Sequence, residues 1–487
     1  MRGMAPTAIA EPASEISLLT APQWRLAGLG IVLVYFVCSA WGGLHAGFRN
    51  DDLINLHYYW TAGPWKALQG NLLFYSTFYR PMGAAFYLPL FHFAGLNPFP
   101  YRVVILLLLG ANVVLIWRFA ALLTGDYLVA FVVAFVVSNH AFLADLQIIT
   151  AVIYDILCFF FYFAAFVLYL KIRSRDRLLT WKESAAVLLL YVGALNSKEM
   201  AVTFPVFVLA YELLYHPPGS WRGIGQLVRR DGSMVVFSGL LTLVYVIGKL
   251  HGPDSLIQQE LYRPDFTLQR FMEQQALYLN CLFYAGAFFT PAKTIALWLL
   301  LIYVAWRRPA PTLRFCQIFV VLSPLPIVFL SGRIWSCLYI PLAGWAILFG
   351  SLLVSGTRRL RRWQPVLVAA ALLAVGYEAV IMTKQFRPAF FDMQRQVDAA
   401  IQSFQALGLR VPARSAMLIL DDPLPRYDLA MIAQVVLRDP TLLVWTVKTG
   451  QPAPDPNGLK IYDYVLRMES NRIEVLKSRP AAAKEGG

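Results

Sequence analysis

The chain reads as a polytopic α-helical membrane protein of about eleven spans at roughly 20 residues each, with a small α/β domain after the last. Three observations predict this. Hydrophobic residues make up 58% of the chain and charged residues only 14%, and the mean hydropathy is +0.57. A soluble domain has no interior large enough to hide that much apolar surface. The apolar residues also fall into runs long enough to cross a bilayer, with basic clusters at alternate ends. Beyond Lys384 those runs stop, and short stretches punctuated by Pro and Gly take over.

Much of the net charge of +14 lies in these clusters: Lys171/Arg173/Arg175/Arg177, Arg229/Arg230, Arg307/Arg308 and Arg358/Arg359/Arg361/Arg362. Positive charge beside a span marks its cytoplasmic end and favours anionic lipid, so the excess is no nucleic-acid footprint. Cys38, Cys158, Cys281, Cys316 and Cys337 lie in apolar segments without zinc-ligand spacing, and they indicate no disulfide framework. Residues 1–24 form a polar cytoplasmic leader containing Glu11 and Glu15, unlike a cleaved signal peptide, so the first span is expected to be retained.

Span by span, 26–45 crosses outward with Arg25 inside. The outer loop 46–100 opens on Phe48-Arg49-Asn50-Asp51-Asp52-Leu53-Ile54-Asn55. Two adjacent carboxylates at the membrane lip lose hydration that something must replace, which makes function the default reading. Tyr58, Tyr59, Trp60 and Trp65 behind them suit an interfacial belt. The segment 82–96, short and interrupted by Pro89, lies along the outer interface. Residues 101–123 return inward, 126–142 go out, and 148–170 come back to the first basic cluster. A hairpin of 183–195 and 201–215 turns outside at Asn196-Ser197-Lys198-Glu199-Met200, and the basic loop 222–230 is inside. Residues 234–250 rise and 251–270 form an outer loop. After a partly external helix at 271–291, the chain descends to Arg307. Spans 313–330, 336–354 and 365–382 complete a transmembrane domain of 25–383. The outer domain, 384–480, holds a helix at 390–407, strands at 416–420 and 442–445, and a hairpin within 461–475. The tail 481–487 reads as disordered.

On this topology the unusual polar residues collect at the outer face: Asp51, Asp52, Arg80, His140, Asp145, Lys198, Glu199 and Arg333. Carboxylates beside Lys and Arg suit an anionic lipid-linked substrate. Arg grips phosphate bidentately, Lys acts as a point charge, and a carboxylate activates the acceptor. Plainer readings stand beside this one. The aspartates also read as a polar stop, Lys198–Glu199 as an ion pair capping the hairpin, His140 and Asp155 as packing residues, and Arg333 as an interfacial anchor.

Four stretches, in order, carry a resemblance. They are Asn50-Asp51-Asp52 with Tyr79-Arg80-Pro81; Ser138-Asn139-His140 through Asp145 to Tyr154-Asp155-Ile156-Leu157; Asn196-Ser197-Lys198-Glu199-Met200 through Pro205; and Arg333 with Leu338-Tyr339-Ile340-Pro341 through Gly344. Over residues 26–354 the chain resembles GT-C membrane glycosyltransferases, above all the protein O-mannosyltransferase type and its tetratricopeptide-tailed relatives. It departs from that pattern in three places: Ala141 stands where Pro is usual, Asp145 where Glu is common, and no tetratricopeptide repeats follow. The resemblance implies an inverting transfer from a polyprenyl-phosphate-sugar donor at the outer face. Asp51 would be the general base and Asp52 its neighbour or an acceptor-orienting group. Asp145 would steer the acceptor or, with Asp51, bind a divalent cation such as Mg or Mn. Arg80, Lys198 and Arg333 would hold the donor phosphate, and Tyr79, His140 and Glu199 would be acceptor or support residues. Uncleaved leader and compact loops fit a bacterial inner membrane, with site and C-terminus periplasmic. The acceptor class (protein, lipid or polysaccharide) stays open. The rival is a transporter or flippase of lipid-linked sugars, against which stand the absence of visible inverted repeats and charges gathered at one face instead of the midplane. A catalytically silent scaffold whose outer domain binds a partner is a third reading.

Overall fold

The computed structural model describes residues 22–76, 78–217, 233–251, 263–308, 310–424, 428–469 and 472–478. The basic loop 222–230, the tail 481–487 and most of the leader and of the outer loop 251–270 lie outside the described residues.

The chain begins with α1 (Pro22–Ala40), which passes through a short 3₁₀ turn at Trp41–His45 into α2 (Asn50–Leu72). Asp51 and Asp52 occupy the first turn of α2, where the helix macrodipole favours negative charge. Gly63, at φ 79°, and Pro64 break the helix midway. The segment expected along the interface is α3 (Met82–Ala94). Helix α4 (Pro98–Thr124) is capped by Asn97 and stopped by left-handed Gly125. Helix α5 (Tyr127–Asn139) meets the segment Ala141–Ile148 at a bend of 55°, and that segment ends in a single turn, α6 (Asp145–Ile148). Then follow α7 (Ile153–Arg173), α8 (Trp181–Ser197) and α9 (Phe204–Tyr215). Next come α10 (Ser233–Leu250), α11 (Leu268–Leu282), α12 (Pro291–Arg307), α13 (Pro311–Leu322) and the turn α14 (Leu325–Val328). Last in the bundle are α15 (Tyr339–Thr357) and α16 (Gln364–Leu407).

Among the described residues, seven helices are long and apolar enough to cross a membrane, and the bent 127–148 pair makes an eighth. The remaining three expected spans are shorter helices: α8 and α12 of 17 residues each and α9 of 12. Between α8 and α9 the backbone leaves the helix at Lys198, which is extended, so one apolar run becomes two pieces around a charged turn. One charge expected at the cytoplasmic surface is internal. Arg173 is buried and doubly bonded to Glu212 of α9, which also accepts from Tyr169 Oη at 2.5 Å.

After the bundle, β1 (Ala416–Asp422), α17 (Asp428–Val436) and β2 (Leu443–Lys448) form a parallel β-α-β unit. Strands β3 (Tyr464–Glu469) and β4 (Arg472–Lys477) form a hairpin, giving the order β2-β1-β3-β4. This domain rests on α2, where His57 and Gln434 side chains meet at 2.7 Å, and on α3, where the Arg438 guanidinium lies 5.7 Å from the Phe91 ring. The expected span 365–382 and the expected soluble helix 390–407 are one unbroken helix of 44 residues.

Candidate active site

The two aspartates occupy opposite environments. Asp51 is exposed, while Asp52 is fully buried. Asp52 accepts from the N–H of Arg49 at 2.8 Å and of Ala151 at 2.5 Å, and the Arg102 guanidinium lies 3.5 Å from Oδ2. Burial pushes its carboxyl above the ordinary aspartate range, with Arg102 and the two N–H groups pulling the other way. Arg102 also donates to the carbonyls of Ala46 and Gly47, and the Asp398 carboxylate of α16 accepts from the N–H of Phe48. The start of α2 is thus clamped between α4 and α16.

A second cluster joins the outer loop to α7 and the α8–α9 turn. Arg80 grips both oxygens of Glu199, at 2.9 and 3.0 Å. Its guanidinium lies 4.8 Å from the Tyr79 ring and 5.0 Å from the Tyr154 ring. Lys198 is buried and donates to Asp155 Oδ1 at 2.5 Å and to Cys337 Sγ at 3.4 Å. Lys198 and Glu199, adjacent in sequence, therefore pair crosswise with other partners instead of with each other. Burial works against the charge of each. Asp155 overrides it for Lys198, holding the ammonium above the usual lysine range. Arg80 and Lys198 override it for Glu199, holding that carboxyl at about 2. Arg80 has left-handed backbone, φ 41°, unusual for a side chain of its size. Tyr59 of α2 pins that kink, its hydroxyl lying 3.2 Å from Tyr79 O, 2.9 Å from Arg80 O and 3.0 Å from Tyr154 Oη.

Asp145 adjoins this cluster through the turn at Trp335–Leu338. Its Oδ2 accepts from the N–H of Ser336, next to Cys337, and its buried Oδ1 has no hydrogen-bond partner. Arg333 is half-buried at the entrance to the same turn. His140 stands apart, buried, its ring stacked on Tyr284 at 4.7 Å and Nε2 lying 3.0 Å from Leu282 O. Among the described residues no three His, Cys, Asp or Glu side chains converge as metal ligands. Asp145 offers a single open oxygen beside a backbone donor, which does not fit a resident cation.

The structure thus brings together Arg80, Tyr79, Lys198, Glu199 and Asp145, with Arg333 at the edge. Asp51 touches none of them but shares α2 with Tyr59, eight residues on and about 12 Å along the helix. Sequence reasoning gave Asp155 a packing role and Tyr59 a place in an interfacial belt, and passed over Arg102 and Asp398. A lone arginine in the first turn of an apolar run was the available signal for Arg102. Nothing local marks Asp398.

No family model and no curated protein matches the sequence. Solved structures do resemble the chain, two of them as follows. One is the archaeal oligosaccharyltransferase AglB from Archaeoglobus fulgidus, in complex with an inhibitory peptide and a dolichol-phosphate. It is 11% identical, with a TM-score of 0.51, over 93% of this chain and 70% of that one. The other is the Archaeoglobus fulgidus oligosaccharyltransferase tethered with an acceptor peptide containing the NVT sequon. It is also 11% identical at TM-score 0.51, over 89% of this chain and 64% of that one. Identity this low speaks to architecture alone. The chain shares with them its overall fold, here a bundle of membrane-length helices followed by a small sheet domain.

Proposed function

We propose that this chain is a membrane glycosyltransferase that moves a glycan from a polyprenyl-phosphate-linked donor to an acceptor at the outer face of a bacterial inner membrane. The observation that carries the reading is the paired-charge cluster of Arg80, Glu199, Lys198 and Asp155 at one end of a GT-C-type bundle. Arg80, Lys198 and Arg333 supply positive charge for the donor phosphate, and Glu199 and Asp155 keep two of them in place before the substrate arrives. Asp51 is the base. It is exposed in the first turn of α2, where an acceptor can reach its carboxylate. Asp52, buried on three donors, positions that helix start. Asp145 steers the acceptor.

In the reaction the acceptor hydroxyl or amide gives its proton to Asp51 and attacks the anomeric carbon. The bond from that carbon to the phosphate oxygen breaks, its electron pair leaves on the phosphate, and the configuration inverts. Purified protein in nanodiscs, given a labelled polyprenyl-phosphate sugar and a membrane-derived acceptor pool, should release polyprenyl phosphate and form a labelled product of inverted anomeric configuration. Translocation of the donor without cleavage would make the protein a flippase and end this reading.

A further inference from the structure

Arg80 and Lys198 are neutralised by Glu199 and Asp155 before any ligand arrives. A third cation stands beside them with no carboxylate partner among the described residues. Lys249, at the end of α10, donates to the carbonyl of Phe78 at 2.7 Å, in the loop that carries Arg80. Its ammonium lies 5.6 Å from the Tyr245 ring and within electrostatic range of both Glu199 and Arg80. Three cations against two carboxylates leave one positive charge in excess. Lys198 is buried, whereas Lys249 is partly exposed, so the excess is presented at Lys249.

Close packing fixes this position. At Gly248 the helix lies directly on the carbonyl of Tyr75, and any β-carbon there would overlap that oxygen. The rest of α10 is mostly uncovered. Val236, Leu240, Leu243, Ile247 and Leu250, spaced by three and four, form one exposed apolar stripe that ends beside Lys249. In a bilayer that stripe faces lipid chains, with the ammonium at its end.

We propose that Lys249 is the docking cation for the phosphate of a polyprenyl phosphate whose tail lies along the α10 stripe; this rests on the donor class proposed above. The apolar stripe accepts the isoprenoid chain, Lys249 receives the phosphate as it arrives, and the Arg80–Glu199 pair lies next on its path inward. A lone ammonium suits this role, because a point charge takes phosphate from any direction without demanding one geometry.

The test is binding of a polyprenyl monophosphate to the full-length protein in nanodiscs, read by native mass spectrometry. Lys249→Gln keeps a donor for the Phe78 carbonyl and removes the charge, whereas Lys249→Arg keeps the charge. The Gln variant should bind about 10- to 150-fold more weakly, the loss of one charge-assisted contact, and the Arg variant within about threefold of wild type. Equal binding by Lys249→Gln and wild type would overturn the proposal and leave the donor class standing. A wild-type protein that binds no polyprenyl phosphate would overturn the donor class, and the proposal with it. Photo-crosslinking of wild type with a tail-labelled polyprenyl phosphate needs no variant to fold. Adducts should map to Leu243 and Ile247, and adducts confined to other helices would remove α10 from the site.

Discussion

Asp51 and Asp52 share a side chain and a peptide bond, yet one carboxylate faces solvent and the other none. Side chains one residue apart on a helix diverge by about 100°, so the sequence already implied that only one could enter a site, and the resemblance put Asp51 there; which of the two is buried was not legible. The answer lies with Arg102, fifty residues downstream, and with the N–H of Ala151. The two aspartates should accordingly fail in different ways. Asp51→Asn should lose about 10²–10⁴-fold in turnover while melting temperature and donor binding stay at wild-type values. Asp52→Asn leaves Arg102 buried without its carboxylate, at a cost of about 3–5 kcal/mol, and should appear first as lost thermal stability. An Asp52→Asn protein that is stable yet inactive would exchange the two roles. Glu199 allows a pH test. Its carboxyl titrates at about 2 in the folded chain against 4.5 ordinarily. A lowered folded value stabilises above the unfolded pKa, and that stabilisation is lost as pH falls from 4.5 toward 2. Over that window the wild-type melting temperature should fall more steeply than that of Glu199→Gln, and parallel curves would show the Arg80 pair to be energetically idle.

At the scale of elements, apolar length and basic flanks located the eight membrane-length segments, counting the bent 127–148 pair as one, and alternation with turn residues located all four strands. Both are local signals. The turn before α9 was read at Asn196–Met200, but hydropathy does not reveal that Lys198 will turn inward there to Asp155. Nor did local pattern mark α17, a short helix between two strands, or show that Pro388 lies within a continuous helix. The junction between α1 and α2 depends on one small residue. A methyl group at Gly47 would overlap the Asp398 carboxylate. Gly47→Ala should therefore cost about 1–3 kcal/mol through overpacking, and Gly47→Ala with Asp398→Ala should recover part of the loss. A double variant no more stable than the single would mean the clash is relieved elsewhere.

For the whole molecule, orientation was argued from charge asymmetry, and it makes a plain forecast. In a background without the five native cysteines, cysteines placed at Asn71 and Asp455 should react with an impermeant label from outside, and cysteines at Arg175 and Arg359 only after permeabilisation. Labelling of position 455 from the cytoplasmic side alone would invert the bundle and move the paired charges to the inner face. Helix α16 has a further mechanical meaning. At 1.5 Å per residue its 44 residues extend about 66 Å, roughly twice the hydrocarbon thickness of a bilayer, so one helix serves as membrane anchor and as mast for the sheet domain. A mast of this kind sets an angle as well as a height. One inserted residue between the two halves lifts the sheet by only about 1.5 Å but swings it through about 100°, carrying Gln434 away from His57, whereas four residues nearly restore the bearing at a height about 6 Å greater. An insertion series through 385–389 would therefore separate reach from bearing. Activity that recovers at four residues would mean the acceptor is presented by direction, and activity that declines steadily would mean it is presented by distance.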